Sequence, residues 1–538
     1  MTVELCHSGN IPPDDGYDFW FATTDTSATL PEGKKWPEIA SRLEAAYDDC
    51  AEICWEIGLM LARMPGAEIA RTPTMGAYGT DFRQTVAWVR LANELALSPT
   101  RYLVVCDDPW IFGEIASSDG IDATAAPSAR PAALRMCLRG VLARIRNAVR
   151  LAITAVRLRG HRSNLRRRCP ALLVYGHPAS HRNGNDAYFG DLMEREPGAE
   201  RVLHTDCALR LARRLAGPRT ASLHAWGHPL VALSFAHTTW RPKIPDDMPY
   251  RRLVIRALAV ENSGAGPMMT RWQRHCQNRW LKDKQPVSVV WPWENFAWER
   301  ELCRRAHSLG IPVIGYQHTV VGVHQINFAA RLNPDGSNSL PDRIVCNGPA
   351  YRRELTDWGH APDTLPVGGA FRIRRPNPIE YSGDAPVFFA LSGSAPIARE
   401  QIAAARILAA TGRRVLVREH PMYPVDWEEV ANLNRVDTSL LEQKALSAVV
   451  YSTGTSGLEA LLTGVPTIRF QPDDRVAVQV LPAGIDVPMA NRATIEKAVE
   501  RAVPPAPVSW DNLFAPVDYD TWHSLLAGGP VEAANCLA

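Results

Sequence analysis

Residues 449–468 read VVYSTGTSGLEALLTGVPTI, and the order of events in that stretch sets the fold class. An apolar run ending at Tyr451 reads as a buried strand. A turn rich in hydroxyls and glycine follows, Ser452-Thr453-Gly454-Thr455-Ser456-Gly457, and Leu458-Glu459-Ala460 opens a helix. The next apolar run, PTIRF (466–470), comes after that one short helix. A helix between two short apolar runs is the connection that parallel strands require.

The same cadence extends outward from this segment. Upstream strand candidates are RVLVRE (414–419), PVFFALS (386–392), DRIVCN (342–347), PVIGYQ (312–317), SVVWPW (288–293), a stretch within 221–226 and ALLVYG (171–176). Helical stretches such as NFAWERELCRRAHSLG and REQIAAARILAATG separate most of them. Short apolar runs without polar alternation indicate parallel strands covered on both faces. One open sheet of so many strands would be unusual, so two doubly wound sheets are expected. The Pro-, Asn- and Gly-containing segment near residues 330–341 sets their boundary, giving domains at 169–335 and 336–538.

Residues 1–128 read as a separate small α/β region, with the helical SRLEAAYDDCAEICWEIGLMLARM and the strand candidate YLVVCDD (102–108). IASSDGIDATAAPSARP then reads as a linker. The 538 residues carry 59 Lys+Arg and 57 Asp+Glu, a near balance that conceals an asymmetry. Residues 130–168 contain twelve arginines and no acid, which leaves the remainder at about −10. Within residues 129–168, Leu134, Leu138, Val141, Leu142, Ile145, Val149, Ile153 and Val156 share one helical face, and Arg135, Arg139, Arg146, Arg150 and Arg157 gather beside it. This basic amphipathic helix suits either an anionic lipid interface or packing of its stripe on the following domain. Nucleic acid is not an expected partner, because no aromatics interleave the arginines and no nucleic-acid module surrounds them.

The ordinary mixture of 46% hydrophobic and 22% charged residues excludes a disordered or fibrous chain. No apolar run approaches the roughly 20 residues a spanning helix needs, and MTVELCHSGNIPPDDGYDFW has no apolar signal core, so a cytoplasmic protein is expected. Eleven scattered cysteines, with Cys50 and Cys54 the one close pair, read as reduced thiols. No metal site is expected.

Three further segments carry chemistry. RRVLVREHPMYP (413–424) places His420 at the carboxyl edge of a strand, adjacent to the edge that carries the 452–457 turn. Backbone N–H groups at the helix start, with hydroxyls, form a phosphate cradle, or the Ser and Thr residues serve as plain N-caps. In VVWPWENFAWERELCRRAHSLGIPVIGYQHTVVG (289–322), Glu294 follows one strand, and Gln317 and His318 end the next. A carboxylate beside a histidine is suited to act as base toward a hydroxyl or as nucleophile, whereas Glu299 reads as a residue of a solvated or interdomain helix face. YGHPASHRNGNDAYFGDL (175–192) offers Asp191 and Asp186 as rival carboxylates, and VGGAFRIRRP (367–376) offers Arg372 to a phosphate or a sugar carboxylate.

Two facing doubly wound domains resemble the GT-B glycosyltransferase architecture. His420-Pro421 with the Ser452–Gly457 turn and Gly464-Val465-Pro466 resembles the nucleotide-binding domain of bacterial sialyl-, polysialyl- and Kdo transferases, which use CMP-activated acidic sugars. Glu294, Trp298-Glu299 and Gly315-Tyr316-Gln317-His318 resemble surface-carbohydrate (capsule or O-antigen) biosynthesis proteins. The resemblance implies a metal-independent glycosyltransferase that takes a nucleotide-sugar donor and a glycan or lipid-linked acceptor and needs no cofactor. It assigns donor-phosphate contacts to His420, Ser452, Thr453, Thr455 and Ser456 and ribose contact to Glu459; Gly454, Gly457, Gln317 and Arg372 complete the expected donor site from the residue reading. Catalysis falls to Glu294, His318 or Asp191. UDP- or GDP-sugars, a CDP-glycerol-type glycerophosphotransfer, or a non-catalytic scaffold in a polysaccharide assembly complex remain open.

Overall fold

The computed structural model describes residues 2–13, 16–24, 29–421 and 423–528. Three parallel sheets organise it. In the N-terminal region, β1 (Val3–Cys6), β2 (Phe19–Ala22), β3 (Tyr102–Val105) and β4 (Ile121–Ala123) pair in the order β2-β3-β1-β4. In the middle of the chain lie β5 (Ala171–Val174), β6 (Glu200–Leu203), β7 (Thr220–Ser222), β8 (Val289–Pro292), β9 (Val313–Gln317) and β10 (Arg343–Cys346). Their order is β10-β9-β8-β5-β6-β7, with every pairing parallel. A small pair, β11 (Glu380–Tyr381) and β15 (Ala445–Leu446), precedes and interrupts the last sheet. That sheet contains β12 (Val387–Ala390), β13 (Val415–Arg418), β14 (Leu433–Arg435), β16 (Ala448–Tyr451), β17 (Thr467–Phe470) and β18 (Met489–Ala490), ordered β14-β13-β12-β16-β17-β18.

Numbered within their own domains, both six-stranded sheets run 3-2-1-4-5-6, the Rossmann order. The expected GT-B-like pair of doubly wound domains is therefore present. The strand order reverses between β5 and β8 in one sheet and between β12 and β16 in the other, and ligands bind at such switch points, outside the strands' carboxyl ends. The central strands are buried on both faces, which is why their sequences are uninterrupted apolar runs.

The expected boundary at 335/336 falls too early. Residues 343–346 form β10, which pairs with β9 at the edge of the first sheet, so the chain crosses to the second domain only after β10. It later returns. Trp522, Leu525 and Leu526 are buried in the first domain's core with Leu172 and Val174, and Ser288 Oγ donates to the Leu526 carbonyl at 2.8 Å. The outgoing and returning crossings lie side by side: Ala370 N donates to Ala515 O at 3.0 Å and Asp518 N to Gly368 O at 3.1 Å. A Cβ on Gly369 would stand 2.1 Å from the Pro516 carbonyl oxygen, and its φ is +86°, so only glycine permits this approach. The stretch within 221–226 is a strand only to Ser222. There the side-chain oxygen accepts from His224 N, and the chain turns into a 3-10 helix over Leu223–Trp226.

Residues 1–128 are docked on both larger domains rather than free-standing. Their core is continuous with Trp240, Leu253, Val254, Ile326 and Leu332. Glu44, on the helix Ile39–Asp49, accepts from Arg469 and Gln471 of the second domain. Its Oε1 also lies 3.7 Å from Nε2 of His324 in the first. The Arg469 side chain is 2% exposed, and removing one member of a buried ion pair leaves the other charge uncompensated. Glu44→Ala is expected to lower the free energy of the first unfolding transition by about 3 kcal/mol, read by guanidinium denaturation, whereas Glu44→Gln, which keeps an acceptor, loses less.

Candidate active site

The loop after β8 is fixed from beneath before it presents a side chain to the cleft. Glu299 is 1% exposed, and its Oε2 accepts from Trp291 Nε1 at 3.0 Å, Glu294 N at 2.9 Å and Asn295 N at 3.0 Å. Asn327 Nδ2 donates to the Glu294 carbonyl at 2.8 Å. Asn295 adopts a left-handed conformation with φ of 58°, and its Nδ2 donates to Asn327 O and to Asn333 Oδ1. Asparagine is among the few residues that tolerate that region. Both backbone groups of Glu294 are thereby occupied and its carboxyl is left to the cleft. Glu299 is not on a solvated helix face as the sequence suggested. It is the buried acceptor that builds this loop.

Glu294 Oε1 lies 3.8 Å from His318 Nε2. Burial pushes the Glu294 carboxyl up to about 7, with Arg372 opposing the rise. His318 is driven well below the usual histidine range by burial and then by Arg372, so it is neutral near pH 7. The ring of Tyr188 stands edge-on to His318 at 5.3 Å and carries the Arg372 guanidinium 5.2 Å from its centroid. Arg372 also faces Glu459 of the second domain. Tyr78, from the N-terminal region, is 63% exposed, and crowding by protein and then the Glu294 charge raise its hydroxyl's pKa, which puts it within reach of Glu294.

Across the cleft, the loops after β12 and β16 meet at the second switch point, where Ser392 Oγ and Thr453 Oγ1 are 2.8 Å apart. Two helices begin there, Ala395–Ala410 and Ser456–Thr463; neither N-cap side chain, Ser394 nor Thr455, bonds a backbone N–H of its helix, and the Thr455 hydroxyl is bonded to the Glu459 carboxyl instead. Their first-turn N–H groups and positive dipole ends favour an anion. Gly454 takes φ of 93° to make the turn. His420 stacks on Tyr423 at 5.2 Å and lies beside Gly393, and burial lowers its pKa so that the neutral ring prevails. Glu459 is half-buried; burial raises its pKa while Arg418 and Arg372 oppose the rise.

Four expected site residues build the site instead of lining it. Ser452 is 1% exposed and its hydroxyl donates to Phe470 O at 2.8 Å, tying the turn to β17. A Cβ on Gly457 would meet the Tyr451 ring at 2.3 Å, so this glycine serves packing. Gln317 is fully buried; it donates to Thr319 O and accepts from Asn347 N, joining the loops after β9 and β10. The Asp191 carboxylate is taken up by Tyr519 Oη at 2.6 Å and Arg195 Nε at 2.8 Å, which pins the returning C-terminal helix. Its rival Asp186 forms a buried ion pair with Arg201 at 3.3 Å. Glu294, His318, Arg372, His420, Thr453, Gly454, Thr455, Ser456 and Glu459 remain at the cleft. Sequence reasoning missed Tyr188, Tyr78, Asn295 and Asn327. Tyr188 and Asn295 lay within segments already singled out, but nothing local distinguishes Tyr78 and Asn327. Among the described residues no group of His, Cys, Asp and Glu is arranged to hold a metal.

A carboxylate–histidine pair at one switch point and two helix N-termini at the other mark the candidate site of an α/β protein with two doubly wound domains. No family model matches the chain, and no curated protein is significantly similar. Solved structures show partial likeness. The glycotransferase of kitacinnamycin is 14% identical with a TM-score of 0.37, covering 68% of this chain and 98% of its own. CalG4, the calicheamicin glycosyltransferase, is 14% identical with a TM-score of 0.38, covering 68% and 97%. A Methanocaldococcus jannaschii UDP-GlcNAc 2-epimerase in complex with UDP-GlcNAc and UDP is 11% identical with a TM-score of 0.39, covering 67% and 99%.

Burial pushes Glu299 up to about 8, so at neutral pH an amide is nearly its isostere. Glu299→Leu strands three buried donors and is expected to cost about 3 kcal/mol or more, whereas Glu299→Gln keeps an acceptor oxygen and most of the stability, as urea denaturation of the two variants would report.

Proposed function

We propose that the chain is a metal-independent glycosyltransferase of surface-polysaccharide assembly that transfers an acidic sugar from a CMP-activated donor to a glycan or lipid-linked acceptor. The observation that carries the reading is the Glu294–His318 pair at one switch point, with Arg372 between it and the cradle at the other. The donor phosphate sits against the starts of the helices Ala395–Ala410 and Ser456–Thr463. Thr453, Ser456 and neutral His420 donate hydrogen bonds to its oxygens as the nucleotide departs, and Thr455 holds Glu459 at the edge of the cradle. Arg372 offsets charge on the departing phosphate or on the sugar carboxylate. Glu459, with Arg418 beside it, is placed toward the nucleoside.

On the acceptor side, Glu294 takes the proton of the attacking hydroxyl. A general base works best with a pKa near the operating pH, and a value of about 7 meets that demand. Neutral His318 leaves the carboxylate unneutralised. Its Nε2 stands 3.8 Å from the carboxylate, beyond hydrogen-bond distance, and lines the same side of the site.

Because Glu294 acts deprotonated, kcat/KM should rise through about pH 7 and level off above it. Glu294→Gln should lose that limb and about 100-fold or more in kcat while keeping nucleotide binding, measured by nucleotide release from a panel of CMP-, UDP- and GDP-sugars. Release of CMP supports the donor class. Release of UDP or GDP instead would reassign the donor within the same fold. In a thermal-shift screen CMP should stabilise the wild type, by about 2.7 kcal/mol at 100 times its Kd, and His420→Ala should abolish the shift. Stabilisation by no nucleotide at all would sink the transferase reading.

A further inference from the structure

The long helix Ala129–Leu158 spans 30 residues and packs on the first domain, but through the face opposite its apolar stripe. Its buried positions are Gly140, Arg144, Ala148, Leu151, Thr154, Ala155 and Leu158. A Cβ on Gly140 would stand 2.1 Å from the Asn262 carbonyl oxygen, and Arg144 Nη1 donates to that same oxygen at 2.9 Å. The small residues bring the helix close to the body, and the one arginine on that face is consumed in docking it. Leu134, Leu138, Val141, Leu142, Ile145, Val149, Ile153 and Val156 all face outward, with Leu142 at 69% exposure and Leu134 and Val156 at 60%. Of the two occupants the sequence left open for this stripe, the neighbouring domain is therefore not the one.

We infer that this outward face docks the protein on an anionic bilayer surface, with the helix lying along the headgroup plane. An unpartnered apolar row along a helix about 45 Å long is far beyond the scattered apolar residues of an ordinary surface. Arg135, Arg139, Arg146, Arg150 and Arg157, all exposed, flank one edge of the row, and no acid occurs between residues 130 and 168. That combination of an apolar face and a cationic edge matches acyl chains beneath anionic headgroups. A second copy of this chain would set arginine against arginine, and nucleic acid would not cover the leucines. No helix of the described residues is long and apolar enough to cross a membrane, so the attachment is peripheral.

The placement bears on the cleft. A groove of about 330 Å³ beside the stripe is lined by Arg146 and Arg150 on the helix and by Thr205, Asp206 and His224 at the carboxyl edges of β6 and β7. Asp206 lies 3.1 Å from His204, whose ring is 4.8 Å from that of Tyr175, and Tyr175 stands 6.0 Å from Tyr188 beside His318, a row of contacts from the lipid-facing helix to the neighbourhood of Glu294. Docking holds whatever reaction the cleft performs.

The test is co-sedimentation of the full chain with vesicles of phosphatidylcholine alone or with roughly a third phosphatidylglycerol. Two variants accompany it, Leu138→Gln/Leu142→Gln/Ile145→Gln and Arg135→Gln/Arg139→Gln/Arg146→Gln/Arg150→Gln. Both alter exposed side chains only, and an unchanged thermal midpoint verifies the fold. The wild type should pellet with the anionic vesicles and not with the neutral ones, less so at high salt, and each variant should bind at least about tenfold more weakly. Three results would overturn the inference: no pelleting with anionic vesicles, equal pelleting of the apolar variant, or a lipid-free dimer that the apolar variant abolishes while vesicles bind nothing.

Discussion

Parallel strands buried on both faces leave the chain no freedom about where to put polar chemistry. Each central strand of the two Rossmann-order sheets is a run of apolar residues under helices, so hydroxyls, carboxylates and imidazoles collect at the strand ends. The carboxyl ends of β8, β9, β13 and β16 supply Glu294, His318, His420 and the turn from Ser452 in that way. The reversal of strand order then opens a crevice at one point in each sheet. The site is thus a consequence of sheet topology first and of individual residues second.

That hierarchy explains what was legible in the sequence. Apolar runs of four to six residues between helical periods locate most of the strands of the two large sheets, because continuous burial leaves an unbroken apolar signal. The exceptions are informative. β6 was overlooked because Glu200 and Arg201 open it, both buried but paired, Glu200 with Arg166 and Arg201 with Asp186. β14 and β18 are short, and β14 carries two exposed polar residues. The boundary between domains was misplaced because a turn-rich segment at 330–341 marks a loop without saying which sheet the next strand joins. Register and sheet membership are long-range facts.

At the site, residue types at strand ends were readable and their hydrogen-bond partners were not. A serine in a phosphate-like turn looks the same whether its hydroxyl faces a ligand or, as with Ser452, a carbonyl eighteen residues away. Glu299 reads as an ordinary helix acid until three donors are seen to converge on it. The stripe on the helix Ala129–Leu158 was visible by its period, but periodicity only defines a face. Which face meets protein was decided by Gly140 and the small residues opposite, which permit closer approach than the leucines would.

The paired crossings between the large domains fix how they are joined. Segments 367–370 and 515–518 are bonded to each other, so the second domain is tethered to the first at both of its ends by adjacent strands of chain. Glu44, which accepts from Arg469 and Gln471 and lies near His324, fastens the same two domains at a second place. Arg372 follows Gly369 by three residues, so its position is set by the seam between the domains and not by either sheet alone.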